Sequence, residues 1–198
     1  SNCISFNQPI TWNAPLMILM SSIFNGCSAF NGQVNITTSS SLTNTSRMFQ
    51  SCSALASPVT ISNTSSVVDM QWMFYACIVF NHPVNFDTSS VVNMLRMFTS
   101  CFAFNQPVNF DTSSVTSMQN MFWLATNFNQ DISAFNISSV TIASNMLLGT
   151  SFSTANYNLL LPAWDAYGTS NVSFHAGTAQ YTAAPSAPAT AHAAMLVR

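Results

Sequence analysis

The cysteines fall at positions 3, 27, 52, 77 and 101, separated by 24, 25, 25 and 24 residues. Self-similarity at such a period marks an array of one small unit. A single unit of this size cannot bury its own apolar face, so the array must stack to make a core. The text around the cysteines recurs too. Phe80-Asn-His-Pro-Val-Asn-Phe-Asp-Thr-Ser-Ser-Val91 is followed by Phe104-Asn-Gln-Pro-Val-Asn-Phe-Asp-Thr-Ser-Ser-Val115, and weaker copies begin at Phe6, Phe30, Leu55 and Phe128. Residues 3 to 152 thus read as about six coils, opening at Cys3, Cys27, Cys52, Cys77, Cys101 and, by alignment, Ala125.

Each coil carries two apolar rhythms. Val84 and Phe86 flank Asn85, and Val108 and Phe110 flank Asn109; period two predicts a short strand with one face buried. Val67, Met70, Met73 and Phe74 recur as Val91, Met94, Met97, Phe98 and as Val115, Met118, Met121, Phe122. Offsets of 3, 6 and 7 predict a helical turn. The expected unit is one short parallel strand on one face and one helical turn on the other, an α/β repeat. Between the rhythms stands a polar corner: Asn63, Asp87, Asp111 and Asn136 occupy one column before Ser-Ser. Such side chains accept from backbone N–H groups nearby and cap the corner. A calcium ladder is the alternative, disfavoured because calcium takes several carboxylates and half of this column is neutral.

The period stops after residue 152. The apolar residues Tyr157, Leu160, Leu161 and Trp164 mark an amphipathic segment, followed by a turn and then Val172 and Phe174. We divide the chain into a repeat array over 1–152 and a C-terminal capping unit over 153–198. Ala- and Pro-rich residues 182–194 predict a loop and then a short helix ending near Arg198.

Only 4% of residues are charged, there is no Lys or Glu, and the formal net charge is −2. Three arginines cannot form the basic stripe that nucleic acid requires. A membrane span needs about 18 or more apolar residues; the best run, Ala14 to Met20, is far shorter and contains Pro15. No paired carboxylates, nucleophile elbow, phosphate-cradling loop or Cys-x-x-Cys pair stands out, so we expect no enzyme, no cofactor and no metal site. His82 shares a column with Gln8, Gln106 and Gln130 and reads as a solvated loop residue. Trp72 and Trp123 adjoin inward residues and read as half-exposed, a setting that favours sugar or partner contact.

The column of Cys3, Cys27, Cys52, Cys77 and Cys101 permits two readings. Stacked coils sit roughly 4.8 Å apart, inside the separation disulfides accept. Yet the number is odd, and Ala125 and Thr150 take the column in later coils, which favours a ladder of buried thiols.

The text Met97-Phe-x-x-Cys101-x-x-Phe104-Asn-x-Pro-Val108-x-x-Asp111-Thr-Ser-Ser-Val115-x-x-Met118 resembles the BspA-like leucine-rich-repeat surface proteins, with their mycoplasma-lipoprotein-type DUF285 repeat. The closing stretch, with Tyr157, Leu160, Trp164 and Asn171 to Gly177, is similar to that family's C-terminal unit. The resemblance implies a right-handed leucine-rich-repeat-like solenoid on a secreted or surface-anchored protein serving adhesion or recognition, with no catalytic residues to carry over.

The functional expectation is a non-enzymatic display or adhesion scaffold, extracellular or on the cell surface. Thr11, Asn35, Thr60, Asn85, Asn109 and Ser133 are the outward strand positions. They form an uncharged hydrogen-bonding stripe suited to a neutral polar partner, glycan or protein. Sequons at Asn35, Asn44, Asn63, Asn136 and Asn171 are candidate N-glycosylation sites that would help solubilise a charge-poor surface. The alternative is a structural subunit of an extracellular filament or coat, self-associating end to end, because the first coil begins at inward residues with no polar cap before it. Ice or mineral binding through Thr88 and Thr112 is a minor third.

Overall fold

The computed structural model describes residues 3–168, 172, 174–176 and 180. The expected loop and helix over 182–198 lie outside the described residues. The chain winds into stacked coils, tied to one another by backbone bonds between residues about one period apart. Three short strands, β1 (Ile10–Asn13), β2 (Val34–Thr37) and β3 (Val59–Ile61), form a parallel sheet in the order β1-β2-β3. Their register aligns Ile10 with Val34 and Val59, and Thr11 with Asn35 and Thr60. In the next two coils Val84 and Phe86, then Val108 and Phe110, keep the alternating burial but join no strand. A second seam runs further, as single parallel bridges Leu19–Asn44–Asp69–Asn93–Ser117–Ile142.

The second apolar rhythm is not helical, and here the structure departs from expectation. Over residues 70–77 the backbone N–H groups, apart from that of Gln71, which the Asp69 carboxylate takes, alternate between two uses. Those of Met73, Tyr75 and Cys77 close tight turns onto the carbonyls of Met70, Trp72 and Phe74. Those of Met70, Trp72, Phe74 and Ala76 donate to Asn93, Leu95, Met97 and Thr99 in the next coil. A helix would turn every donor beyond its first turn onto a carbonyl four residues back, leaving none of those for the next coil. The chain escapes the helix by entering the left-handed region twice per coil, at Trp72 (φ 59°) and Ala76 (φ 57°). The same pair of positions recurs as Ser22 and Gly26, Arg47 and Ser51, Arg96 and Ser100, Asn120 and Leu124, Asn145 and Gly149. Apolar offsets of 3, 6 and 7 therefore face inward without an α-helix, and half the donors are released to staple coil to coil.

Two columns of phenylalanine fill the interior. Phe24, Phe49, Phe74, Phe98 and Phe122 stack with centroids 5.4 to 5.6 Å apart. Phe80, Phe104 and Phe128 form the second column at 6.1 Å spacing, and the columns touch at 4.0 to 4.6 Å. Offset stacking of this kind adds about 0.5–1.5 kcal/mol per pair beyond the area buried. The helix α1 (Thr154–Asp165) closes the far end. Ser153 caps it by accepting from the Asn156 N–H at 3.2 Å, and Tyr157, Leu160, Leu161 and Trp164 form its buried face. Trp164 meets Phe174 edge-on at 4.9 Å, and Phe174 extends the bridge seam beside Ala143.

Candidate recognition face and the opening between coils three and four

The outward strand column divides into a paired part and an unpaired part. Thr11 and Thr60 are exposed and Asn35 is half-buried, all three on the continuous sheet. Asn85 and Asn109 are exposed on backbone that has left the sheet. Ser133 does not continue the stripe. The sixth coil has an extra residue here, so Ile132 and Phe135, not positions two apart, are the buried pair. A turn joins them (Phe135 N–H to Ile132 O, 3.1 Å), and the Ser133 N–H is taken by the Asp131 carboxylate at 2.8 Å. Ser133 is half-buried.

Where the sheet stops, the third and fourth coils part. An opening of about 270 Å³ lies between Pro58–Ile61 on one side and His82, Pro83, Asn85 and Phe86 on the other. Two stripe residues, Thr60 and Asn85, line it from opposite coils.

Beside the opening runs a ladder that sequence reading missed. The Asn that follows each core Phe accepts a backbone N–H from the next coil: Asn7 from Asn31 (2.7 Å), Asn31 from Ala56 (2.7 Å), Asn81 from Asn105 (2.9 Å) and Asn105 from Asn129 (2.9 Å). The recurring Phe-Asn dipeptide was its signal. In the third coil the dipeptide is Leu55-Ala56, and Ala56 has no side chain with which to hold the fourth coil. His82 fills the gap, its Nε2 lying 2.6 Å from the Ala56 carbonyl. It is a half-buried bridging residue, not the solvated loop residue expected. Gln106 and Gln130 in its column reach back in the same way, to Asn81 and Asn105. Gly32 holds this column in the second coil, where a Cβ would collide with the Gln8 carbonyl and stand 2.8 Å from the Pro9 nitrogen.

The polar corner behaves as its chemistry dictates. Asn63, Asp87, Asp111 and Asn136 each accept the N–H two residues on, at 2.9 to 3.1 Å. The Ser89 and Ser113 hydroxyls also bond the carboxylates of Asp87 and Asp111 and hold both below the usual carboxylate range. Thr64, Thr88 and Thr112 are buried beside the corner and donate to the carbonyls of Asp87, Asp111 and Asn136. Thr88 and Thr112 thus present no outward array for ice or mineral. Among the described residues no cluster of three or more His, Cys, Asp or Glu has metal-holding geometry.

Of the sequons, Asn63 and Asn136 are half-buried corner residues, while Asn35 lies in β2 and Asn44 in the bridge seam. Asn44 accepts the Ser46 N–H at 2.8 Å and reaches Asp69 at 3.5 Å. Asn171 lies outside the described residues. Cys27, Cys52, Cys77 and Cys101 are buried thiols outside any disulfide, and Cys3 is exposed. The thiols of Cys52, Cys77 and Cys101 donate to the carbonyls of Phe24, Phe49 and Phe74 at 2.9 to 3.0 Å. Burial pushes the Cys52 thiol up to about 12 and raises Cys27, Cys77 and Cys101 as well.

A family model described as "Mycoplasma protein of unknown function, DUF285" matches residues 1–85 and again 55–164. The chain belongs to the DUF285 family. The two matches overlap at 55–85, the stretch that carries β3, the third coil's turns and the opening, so the family text runs straight through the break in the sheet. No curated protein and no solved structure matches this DUF285 chain. Among its described residues, no helix is long and apolar enough to cross a membrane.

Proposed function

We propose that the chain is a non-enzymatic recognition scaffold of an extracellular or cell surface, a right-handed leucine-rich-repeat-like solenoid of the BspA-like kind, which binds a neutral glycan at the opening between its third and fourth coils. The observation that carries the reading is the opening itself: about 270 Å³ of concave surface, lined by Thr60 and Asn85 and by the rings of Pro58 and Pro83. A sugar presents hydroxyls beside apolar C–H faces, and this lining offers both kinds of partner. No Asp, Glu, Lys or Arg lines the opening, and the Nε2 of its one histidine, His82, is committed to Ala56. Binding sites of this sort combine a largely apolar wall with a few fixed polar groups.

Screening on an array of neutral oligosaccharides, with Thr60→Lys and Asn85→Lys beside the wild type, tests the reading. Selective wild-type binding abolished by either substitution is the expected result. Binding that survives both substitutions removes this face from consideration.

A further inference from the structure

Midway along the chain between Thr60 and Asn85, and not among the residues that line the opening, Trp72 is clasped by two arginines. The Arg96 guanidinium carbon lies 4.7 Å from the Trp72 ring centroid and that of Arg47 lies 5.8 Å from it. Arg96 also stands 5.8 Å from the Trp123 ring, and Tyr75 leans on Trp72 at 4.7 Å. Arg47, Trp72 and Arg96 occupy the same left-handed position in successive coils, so the stack is built by the repeat and not by chance contact of long side chains. Among the described residues no carboxylate pairs with either guanidinium. The chain has no lysine and a formal net charge of −2, yet the two arginines of its described residues are gathered on one face.

A guanidinium stacked on an aromatic ring keeps its edge N–H groups free and in a fixed plane, the arrangement that grips a planar oxyanion with two parallel hydrogen bonds. Arg47 and Arg96 are two coils apart, roughly 10 Å at the usual strand spacing. Two cations so placed suit a polymer whose charges are sparse. Duplex nucleic acid carries one charge per about 1.7 Å and is held by many contacts, and anionic membranes are read by clusters of about 4–8 basic residues. A polysaccharide with one carboxylate per disaccharide has charges near the arginine spacing, and uncharged hydroxyls for the neighbouring Gln71, Gln119 and Tyr75. We propose that the Arg47–Trp72–Arg96–Trp123 face is a contact surface for an acidic polysaccharide, distinct from the opening and independent of the reading given to it.

Hyaluronan oligosaccharides, with neutral dextran as control, provide the probe, and tryptophan fluorescence of the full chain provides the readout. The expected result is saturable binding to hyaluronan alone that weakens as salt rises. The Arg47→Gln/Arg96→Gln double variant, with unchanged melting temperature, loses affinity by about tenfold or more, as expected when two charge-assisted pairs go. Arg96→Lys keeps the charge but loses the planar fork and falls between the two. Equal binding of dextran, an unaffected double variant, or tighter binding of single-stranded DNA or phosphatidylserine vesicles than of hyaluronan would overturn the proposal.

Discussion

The Nε2 atom of His82 sits 2.6 Å from the carbonyl oxygen of Ala56, twenty-six residues earlier. A carbonyl only accepts, so Nε2 carries a proton and donates it to the bond. This contact does for the fourth coil what an asparagine does for the others. His82→Gln, the residue of its own column, should keep the bond and leave the urea midpoint within error. His82→Ala removes the donor and should cost about 1 kcal/mol, together with local protection of the Val84–Phe86 amides in hydrogen exchange.

The left-handed positions are strained places in the coil backbone. A side chain there costs on the order of 1–2 kcal/mol, and glycine sits there freely at some entropic cost to folding. Ala76→Gly should therefore raise stability by about 0.5–1 kcal/mol, and the β-branched Ala76→Val should lower it by about as much or more. Gly149→Ala, at φ 80°, would bring its Cβ to 2.8 Å from Leu124 Cδ2 and should be the worst of the three. Urea titration with an unchanged m-value checks the set.

Loss of one ring should open both columns at once. Phe98 stacks on Phe74 at 5.4 Å, Phe122 at 5.6 Å and Phe104 at 4.3 Å. Phe98→Ala is expected to cost about 3–5 kcal/mol, whereas the same change at half-exposed Phe102 should cost under about 1 kcal/mol. Thermal melts of the pair make the comparison.

Stability should fall on both sides of neutrality, for opposite reasons. The buried thiols are raised above the ordinary value of 9.0. Above about pH 9 the unfolded chain sheds thiol protons that the folded chain retains, so unfolding is favoured as pH rises. Replacing Cys52, Cys77 and Cys101 by alanine, the residue that already serves at Ala125, should flatten most of that alkaline limb in a melting profile. Asp87 and Asp111 are lowered from 3.8, so their contribution is present above that pH and is lost as acid protonates them. Both are almost fully exposed, and this acid limb should be shallow.

The sequence made the coil length, the inward columns and the corner turns legible, because each depends on residues that recur at one offset. It misled where a pattern admits two geometries. Val67, Met70, Met73 and Phe74 satisfy helical spacing, and only the left-handed backbone at Trp72 and Ala76, residues with no sequence mark of that conformation, converts the segment to turns. Ser133 failed because one added residue shifted the buried partner from Ala134 to Phe135. The opening was hidden for a different reason: it is flanked by Leu55-Ala56 and His82, departures from the recurring text, and a period search looks for what recurs. The arginines flanking Trp72 drew no notice because they lie 25 and 24 residues from it, adjacent only after the coils stack.

The alternation of N–H groups between turn and neighbour has a consequence for how such a chain changes length. Along residues 70–77 and their counterparts each coil offers its neighbours the same donors and acceptors, so this one seam repeats from coil to coil. Excising one whole period brings together two faces that already fit, and duplicating one inserts a face that fits both. Along that seam copy number can change without a new pattern of backbone bonds. What drifts with it is position: adding a coil between Trp72 and Arg96 would separate that pair by a further rise while leaving the architecture whole. Length in a chain of this kind is a ruler, set by counting coils and read by whatever spans them.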